Sequence, residues 1–182
     1  MANMSVSSFM ANFQGGGARP NLYEVILTFP QAVPDANFAQ VKTAFTCKAA
    51  SLPSSNMGIA EVPYMGRAVK LAGDKVFDDW NITIVNDLDF ASRNAFERWL
   101  NFINEHESNL GVDPPMLYLA DAVVNQLDRS GGIIKSYQME RIFPTQVGEI
   151  TLGYDQNDQV EEYSVTFAVN WWSTIGTVIT TS

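Results

Sequence analysis

The sequence predicts a mainly β protein, an antiparallel β-sandwich or barrel with one flanking α-helix. Three observations carry this expectation. Two-residue alternation of apolar and polar residues recurs in several separated runs, turn-forming residues divide those runs, and only one segment has a convincing helical period. The β-α-β alternation of a doubly wound sheet is missing.

Residues 1–20 are polar and small and end in Gln-Gly-Gly-Gly-Ala-Arg-Pro, which reads as an arm that is disordered alone. In the next run Tyr23, Val25, Leu27 and Phe29 alternate with Glu24 and Thr28, so a strand with one buried side is expected. Two prolines, Pro30 and Pro34, interrupt it. Alternation resumes with Val41, Phe45 and Cys47 opposite Lys42, Thr46 and Lys48, which reads as a second strand. Residues 52–74 are too apolar for a solvated loop and, with Pro53, Pro63, Gly58, Gly66 and Gly73, too interrupted for a central strand. An extended loop or hairpin packed on a neighbour fits better.

Trp80, Ile82 and Ile84 alternate with Asn81 and Thr83, the clearest strand in the chain. Phe96, Trp99, Leu100 and Ile103 then form a stripe at helical spacing, so a helix is expected over 89–106. Asp87 or Asp89 would cap it, with His106 near the negative end of its dipole. Beyond it come an extended segment around 116–124, a turn at Asp128–Gly132, and a strand from Ile133 that Pro144 is expected to stop. Gly148–Tyr154 and Val160–Trp172 flank Asp-Gln-Asn-Asp, a hairpin signal, with Tyr163, Val165, Phe167, Val169 and Trp171 alternating in the last strand. The Thr-rich residues 173–182 read as an extension or an edge strand.

Composition narrows the function. The chain has 182 residues, 46% hydrophobic and 12% aromatic, enough for one compact domain with arms. Only 17% are charged, against about 25% in an average soluble chain, which suggests surface buried against other proteins. Net charge is −9 and the basic residues form no run, which argues against DNA binding through a basic face. Cys47 is the single cysteine, so no intrachain disulfide can form. No apolar run approaches the ~18 residues of a membrane helix, and residues 1–18 have no basic residue or sustained apolar core of a Sec-type leader.

No residue set is committed to catalysis, a metal or a cofactor. Asp78 and Asp79 are neighbours at a strand start and point to opposite faces, so they do not converge on one substrate. Asp87 and Asp89 form an Asp-x-Asp, for which helix capping is the simpler reading. His106 is the only histidine, and there is neither a Gly-x-Ser-x-Gly elbow nor a phosphate-binding loop. Residues 155–162 resemble a calcium loop but have Val160 at its glycine position and Thr166 at its glutamate position. An enzyme using these aspartates with a metal is the weakest of three readings. Of Trp171 and Trp172, one can fill the core; the other faces a sheet, an arm or a second chain.

Four stretches carry a resemblance: ARPNLYEV, FTCKAASLP, PYMGRAVKLAGDKVFDDWNITIVND and FPTQVGEITLGYDQNDQVEEYSVTFAVNWW. In order and spacing, from about Arg19 to Trp172, the chain resembles the tail tube proteins of contractile-tailed bacteriophages. The resemblance implies a sandwich with one helix, six copies in a ring whose inner sheets join into one barrel, and rings stacked inside a contractile sheath. It implies a tube domain over 21–172, a virion location, assembly in the bacterial cytoplasm, and no catalysis. The implied partners are the chain itself, the sheath, baseplate and terminator proteins, and the tape-measure protein and DNA passing transiently through the lumen, with no membrane partner. The inner tube of a contractile bacteriocin or protein-injection system is the alternative. The connection over 30–40 and the residues past Trp172 depart from the expected pattern.

Physics adds an expectation. Open sheet edges invite uncontrolled pairing, which ring closure removes, while axial stacking is a second contact that grows a filament. The candidate inter-subunit contacts are Arg19, Asn21, Leu52, Pro53, Tyr64, Met65, Arg67, Lys70, Asp74, Asp78, Asp79, Trp171 and Trp172. Residues 52–74 and the arm 1–20 are the candidate ring-to-ring segments. Asp155, Asp158, Glu161 and Glu162 are the candidate lumen charges.

Overall fold

The computed structural model describes residues 5–13 and 17–175. In chain order the elements are α1 (Val6–Asn12), β1 (Tyr23–Leu27), α2 (Ala36–Thr46), β2 (Cys47–Ala50), β3 (Ser55–Tyr64) and β4 (Arg67–Phe77). They continue with β5 (Trp80–Val85), α3 (Ala91–Ile103), a 3-10 turn at Pro115–Leu117, β6 (Ala120–Leu127), β7 (Ile133–Val147), β8 (Glu162–Ala168) and β9 (Trp171–Ile175).

The seven strands outside β3 and β4 pair antiparallel in the order β1-β6-β7-β8-β5-β2, with β9 also on β7. The 15-residue β7 belongs to two sheets. Its first part pairs with β6 on one side and, over Ser136–Glu140, with β9 on the other; Phe143–Val147 pairs with β8. The change of partner follows Arg141, which has φ 54° and whose N–H donates to Asp121 Oδ1 at 2.9 Å.

The inward faces meet in one core. Trp80, Ile82 and Ile84 of β5, Val165 and Phe167 of β8, and Val25 and Leu27 of β1 are buried there with Phe96 and Trp99 of α3. Phe29 lies 5.0 Å from Phe96 and 5.4 Å from Trp99, centroid to centroid, and Trp80 lies 5.3 Å from Phe167. The Trp99 indole N–H donates to the Tyr118 carbonyl at 2.8 Å, so a full aromatic burial leaves no orphaned donor.

Six expectations are corrected. The strand expected at 41–48 is helix α2, and only Cys47 onward is extended. Ala39 and Thr43, four apart, pack inward while Phe38, Val41 and Phe45 share another face; spacing of three and four residues outweighs the two-residue coincidence. Helices α1 and α2 thus join α3, so the sheets carry more than one helix, and part of the expected disordered arm is α1. Pro144 does not stop β7: it sits where register shifts between Pro144 and Gln146, and a bulge tolerates the missing N–H. Gly148–Tyr154 forms no strand, and the hairpin expected there is an irregular loop running to β8. The last strand breaks at Val169–Asn170, where the Asn170 amide donates to the Arg141 carbonyl at 2.8 Å, so β9 crosses to the other sheet.

Candidate functional site

The β3–β4 hairpin is exposed along almost its whole length. It forms its own two-stranded sheet, and apart from Ser55, Gly73 and Phe77 every residue in both strands is exposed. Ten residues of strand make it about 33 Å long. The turn residues Met65 and Gly66 have φ 45° and 80°, the two positive angles that match the right-handed twist of flanking strands. Near the base Gly58 and Gly73 oppose each other, and a Cβ on either would meet backbone at 3.1 Å. That close approach accommodates the register shift between Met57 and Ile59.

Register sorts the hairpin into two faces. Ala60 pairs with Leu71 and Val62 with Val69, so one face is an apolar stripe that ends at the tip in Tyr64 opposite Arg67. The other face carries Ile59 opposite Ala72, then Glu61 opposite Lys70, whose charged groups lie 3.6 Å apart. Leu71 is 54% exposed, Val62 48% and Val69 47%. An isolated two-stranded hairpin is at best marginally stable in water, so such a surface requires a partner.

Polar and aromatic contacts fix the hairpin base. Asp78 accepts from Ser54 Oγ and Asn56 Nδ2, both at 2.7 Å. The Trp172 indole donates to the Ser54 carbonyl at 3.1 Å, its ring meets Phe77 edge-on, and Lys75 lies over both rings. Asp78 is therefore a clip, while Asp79 and Asp74 are exposed. Asp87 and Asp89 both bind the Lys42 ammonium of α2 and accept from the Leu88 and Ala91 N–H groups. Lys42 comes first among the causes that hold the Asp89 carboxyl below its ordinary value. His106 lies past α3, its backbone N–H donating to Asn101 Oδ1. Among the described residues no three His, Cys, Asp or Glu side chains gather in a way that could hold a metal.

The other sequence candidates fall in distinct places. Tyr64, Met65, Arg67 and Lys70 cluster at the hairpin tip; Leu52 and Pro53 lie at its base with Asp78 and Trp172. Arg19 and Asn21 are exposed just before β1, where the Arg19 carbonyl accepts from Gln126 Nε2 at 2.7 Å. Trp171 is 40% exposed, opposite Glu140. Asp155, Asp158, Glu161 and Glu162 are exposed along the loop before β8 and its first residue. Glu162 pairs with Lys48, and Glu161 accepts from Asn86 Nδ2 at 2.7 Å. At the sheet margins, β1 and β2 each have one strand neighbour, as does β9.

Within the apolar segment 52–74 the exposed residues that were not named as candidates include Met57, Ile59, Val62 and Leu71, and on α2 Phe38, with Val41 and Phe45, stands exposed on a helix instead of on a strand face. The hairpin set was detectable as alternation across Val62-Pro63-Tyr64 and Ala68–Leu71; the helix set was hidden by the strand assignment.

Residues 18–175 match the family described as phage tail tube protein. This chain is a member of that family. It is 31% identical to the tail tube protein gp19 of Enterobacteria phage T4 over 171 residues, 93% of this chain and 99% of that one. It is 27% identical to the tail tube protein of Serratia phage KSP90, over 82% of this chain and 84% of that one. A chain in the six-fold symmetrised baseplate structure of the anti-feeding prophage has the same fold, with TM-score 0.64 and 14% identity, covering 90% of this chain and 98% of that chain. A chain of the sheath–tube complex of an extracellular contractile injection system matches at TM-score 0.55 and 13% identity, over 95% and 99%. The tail tube protein is a structural virion component and not an enzyme, which accounts for a surface rich in apolar contacts and poor in convergent polar groups.

Proposed function

We propose that this tail tube protein closes into rings of six, and that the rings stack into the hollow conduit through which a contractile phage ejects its genome. The observation that carries this reading is the β3–β4 hairpin, about 33 Å long and largely apolar along one face, with no other strand beside it among the described residues. Such an element is completed by another copy. The open margins at β1, β2 and β9 supply the lateral contact, which closes, while the hairpin, with Tyr64, Met65, Arg67 and Lys70 at its tip, supplies the axial contact, which propagates. Trp171 and the Arg19–Asn21 turn extend the lateral contact. The six-fold symmetry of the related baseplate supports the ring number.

In this assembly Asp155, Asp158, Glu161 and Glu162 line the lumen and repel phosphates, so DNA slides without sticking. Screening over about 8 Å at physiological salt confines the effect to the wall. The sheath covers the outside, baseplate and terminator proteins close the ends, the tape-measure protein fills the lumen before DNA, and assembly takes place in the bacterial cytoplasm. A contractile injection system that carries protein is the second reading; the sheath–tube and anti-feeding prophage folds favour it, and the longer-range identity to gp19 of phage T4 favours the first.

Electron microscopy of the purified protein tests the proposal. Rings and stacked tubes are expected from the wild type, and rings without tubes when the hairpin tip is shortened. A wild-type protein that stays monomeric at high concentration would end this reading.

A further inference from the structure

Two helices carry apolar stripes that stay largely exposed among the described residues. On α1 and the residue after it, Val6, Phe9, Met10 and Phe13 recur at the spacing of one helical face. Their exposures are 77%, 64%, 70% and 50%, and Phe9 stacks on Phe13 at 5.3 Å. The segment from Met1 through Ala18 contains no charged residue. A helix of seven residues is far below the ~12–15 that are marginal in water, so α1 needs a surface to pack on.

On α2 the inward residues are Ala39 and Thr43, yet Phe38, Val41 and Phe45 stand outward at 54%, 58% and 87% exposure. Positions three and seven apart put these three on one narrow line along the helix. A helix apolar on two sides belongs between two layers, and the chain itself supplies one. Phe38 also borders a groove of about 240 Å³ between α2 and α3, floored by Ala39, Ala91 and Ala95, with the Arg98–Asp35 ion pair at its rim. The groove can receive an aromatic side chain.

We infer that α1 of one copy docks along the Phe38–Val41–Phe45 line of α2 in a neighbouring copy, with an α1 phenylalanine entering the groove between α2 and α3. The two stripes match in chemistry and length: four apolar positions over eight residues meet three over eight. The uncharged arm carries nothing to be repelled by Asp35 or Asp89, or by Lys42, which lies over the Phe38 ring. Between Phe13 and Arg19 the chain spans at most about 20 Å, which limits the arm to an adjacent copy. A grip of this kind, helix in groove, ties protomers through a segment outside the sheet and leaves the hairpin contact independent. The inference rests on the reading of this protein as a self-assembling tube subunit.

The test uses two full-length populations, both carrying Cys47→Ala, one with Met10→Cys and the other with Val41→Cys. They are mixed, assembled and oxidised. Disulfide-linked dimers are expected at least tenfold above a control mixture of Met10→Cys with Glu107→Cys, another exposed position. Phe45→Asp, at a residue 87% exposed, should leave melting of the single chain unchanged and abolish the cross-link. Tubes without excess cross-linking would overturn the arm inference alone. So would a Phe45→Asp protein that cross-links normally. Tubes that form without the cross-link but no longer bind sheath after Phe45→Asp would assign the stripe to the sheath instead. Failure of the wild type to form tubes would fall on the tube reading itself.

Discussion

Val62 and Val69 oppose each other on the apolar face of the hairpin, 48% and 47% exposed. Fully burying one valine is worth about 1.5–3 kcal/mol, so covering the exposed half of both in an assembly stabilises each contact by about 1.5–3 kcal/mol. Replacing both by alanine removes most of that. The isolated chain should barely respond, because exposed substitutions usually change stability by less than about 0.5 kcal/mol. At ~1.4 kcal/mol per decade, the concentration needed for tube formation should rise about 10- to 100-fold. Sedimentation of assembled material across a protein dilution series, with tubes counted by microscopy, measures that threshold, and a thermal melt of the unassembled protein provides the control. A double alanine variant that assembles at the wild-type threshold would refute the reasoning, whatever its melting temperature.

Further outcomes are expected elsewhere. Trp99→Ala, at a site with 0% exposure, should cost about 3–5 kcal/mol and show as a collapsed melting transition of the unassembled chain. Asp89 titrates below its ordinary 3.8 in the folded protein, so it favours folding above that pH and the benefit is lost as acid protonates it; Lys42→Met should flatten this acid limb in a stability-against-pH series. Burial raises the Cys47 thiol to about 11, so at pH 8 it should react with a thiol reagent only after denaturant is added. Neutralising Asp155, Asp158, Glu161 and Glu162 together should leave tubes intact and slow genome ejection, read as DNA release over time; unchanged kinetics would count against a lumen role.

Legibility in the sequence tracked how local the determining physics was. β5 was readable because Trp80, Ile82 and Ile84 alternate strictly and are all buried in the result. Helix α3 was readable because Phe96 and Trp99 share a face that meets the core. Helix α2 was not, since Val41, Phe45 and Cys47 also alternate with polar residues, and only the burial of Ala39 and Thr43 distinguishes the two periods. Pro144 misled because its penalty depends on whether a partner needs its N–H, a long-range property of the bulge opposite Phe167. The Asp-Gln-Asn-Asp turn signal was real, but Gly148–Tyr154 forms no strand ladder: the Gly148 N–H donates to Ser164, Arg93 donates to the Gly148 carbonyl, and the Gly153 carbonyl accepts from Gln156. Asp87 and Asp89 were read as helix caps, but the residue that caps α3 is Phe90, without a side-chain bond, and both carboxylates hold Lys42 of α2; Asp78 likewise binds Ser54, and neither partner was visible from local spacing. The exposed apolar surfaces were the least readable, because an exposed apolar residue and a core residue look alike in sequence until burial is known.

The continuity of β7 has a mechanical consequence. A load along a layered body tends to slide one layer over the next. In this protein a single covalent backbone from Ile133 to Val147 runs from one layer into the other. Sliding would have to stretch peptide bonds or strip both ladders at once, so the protein resists shear as one piece.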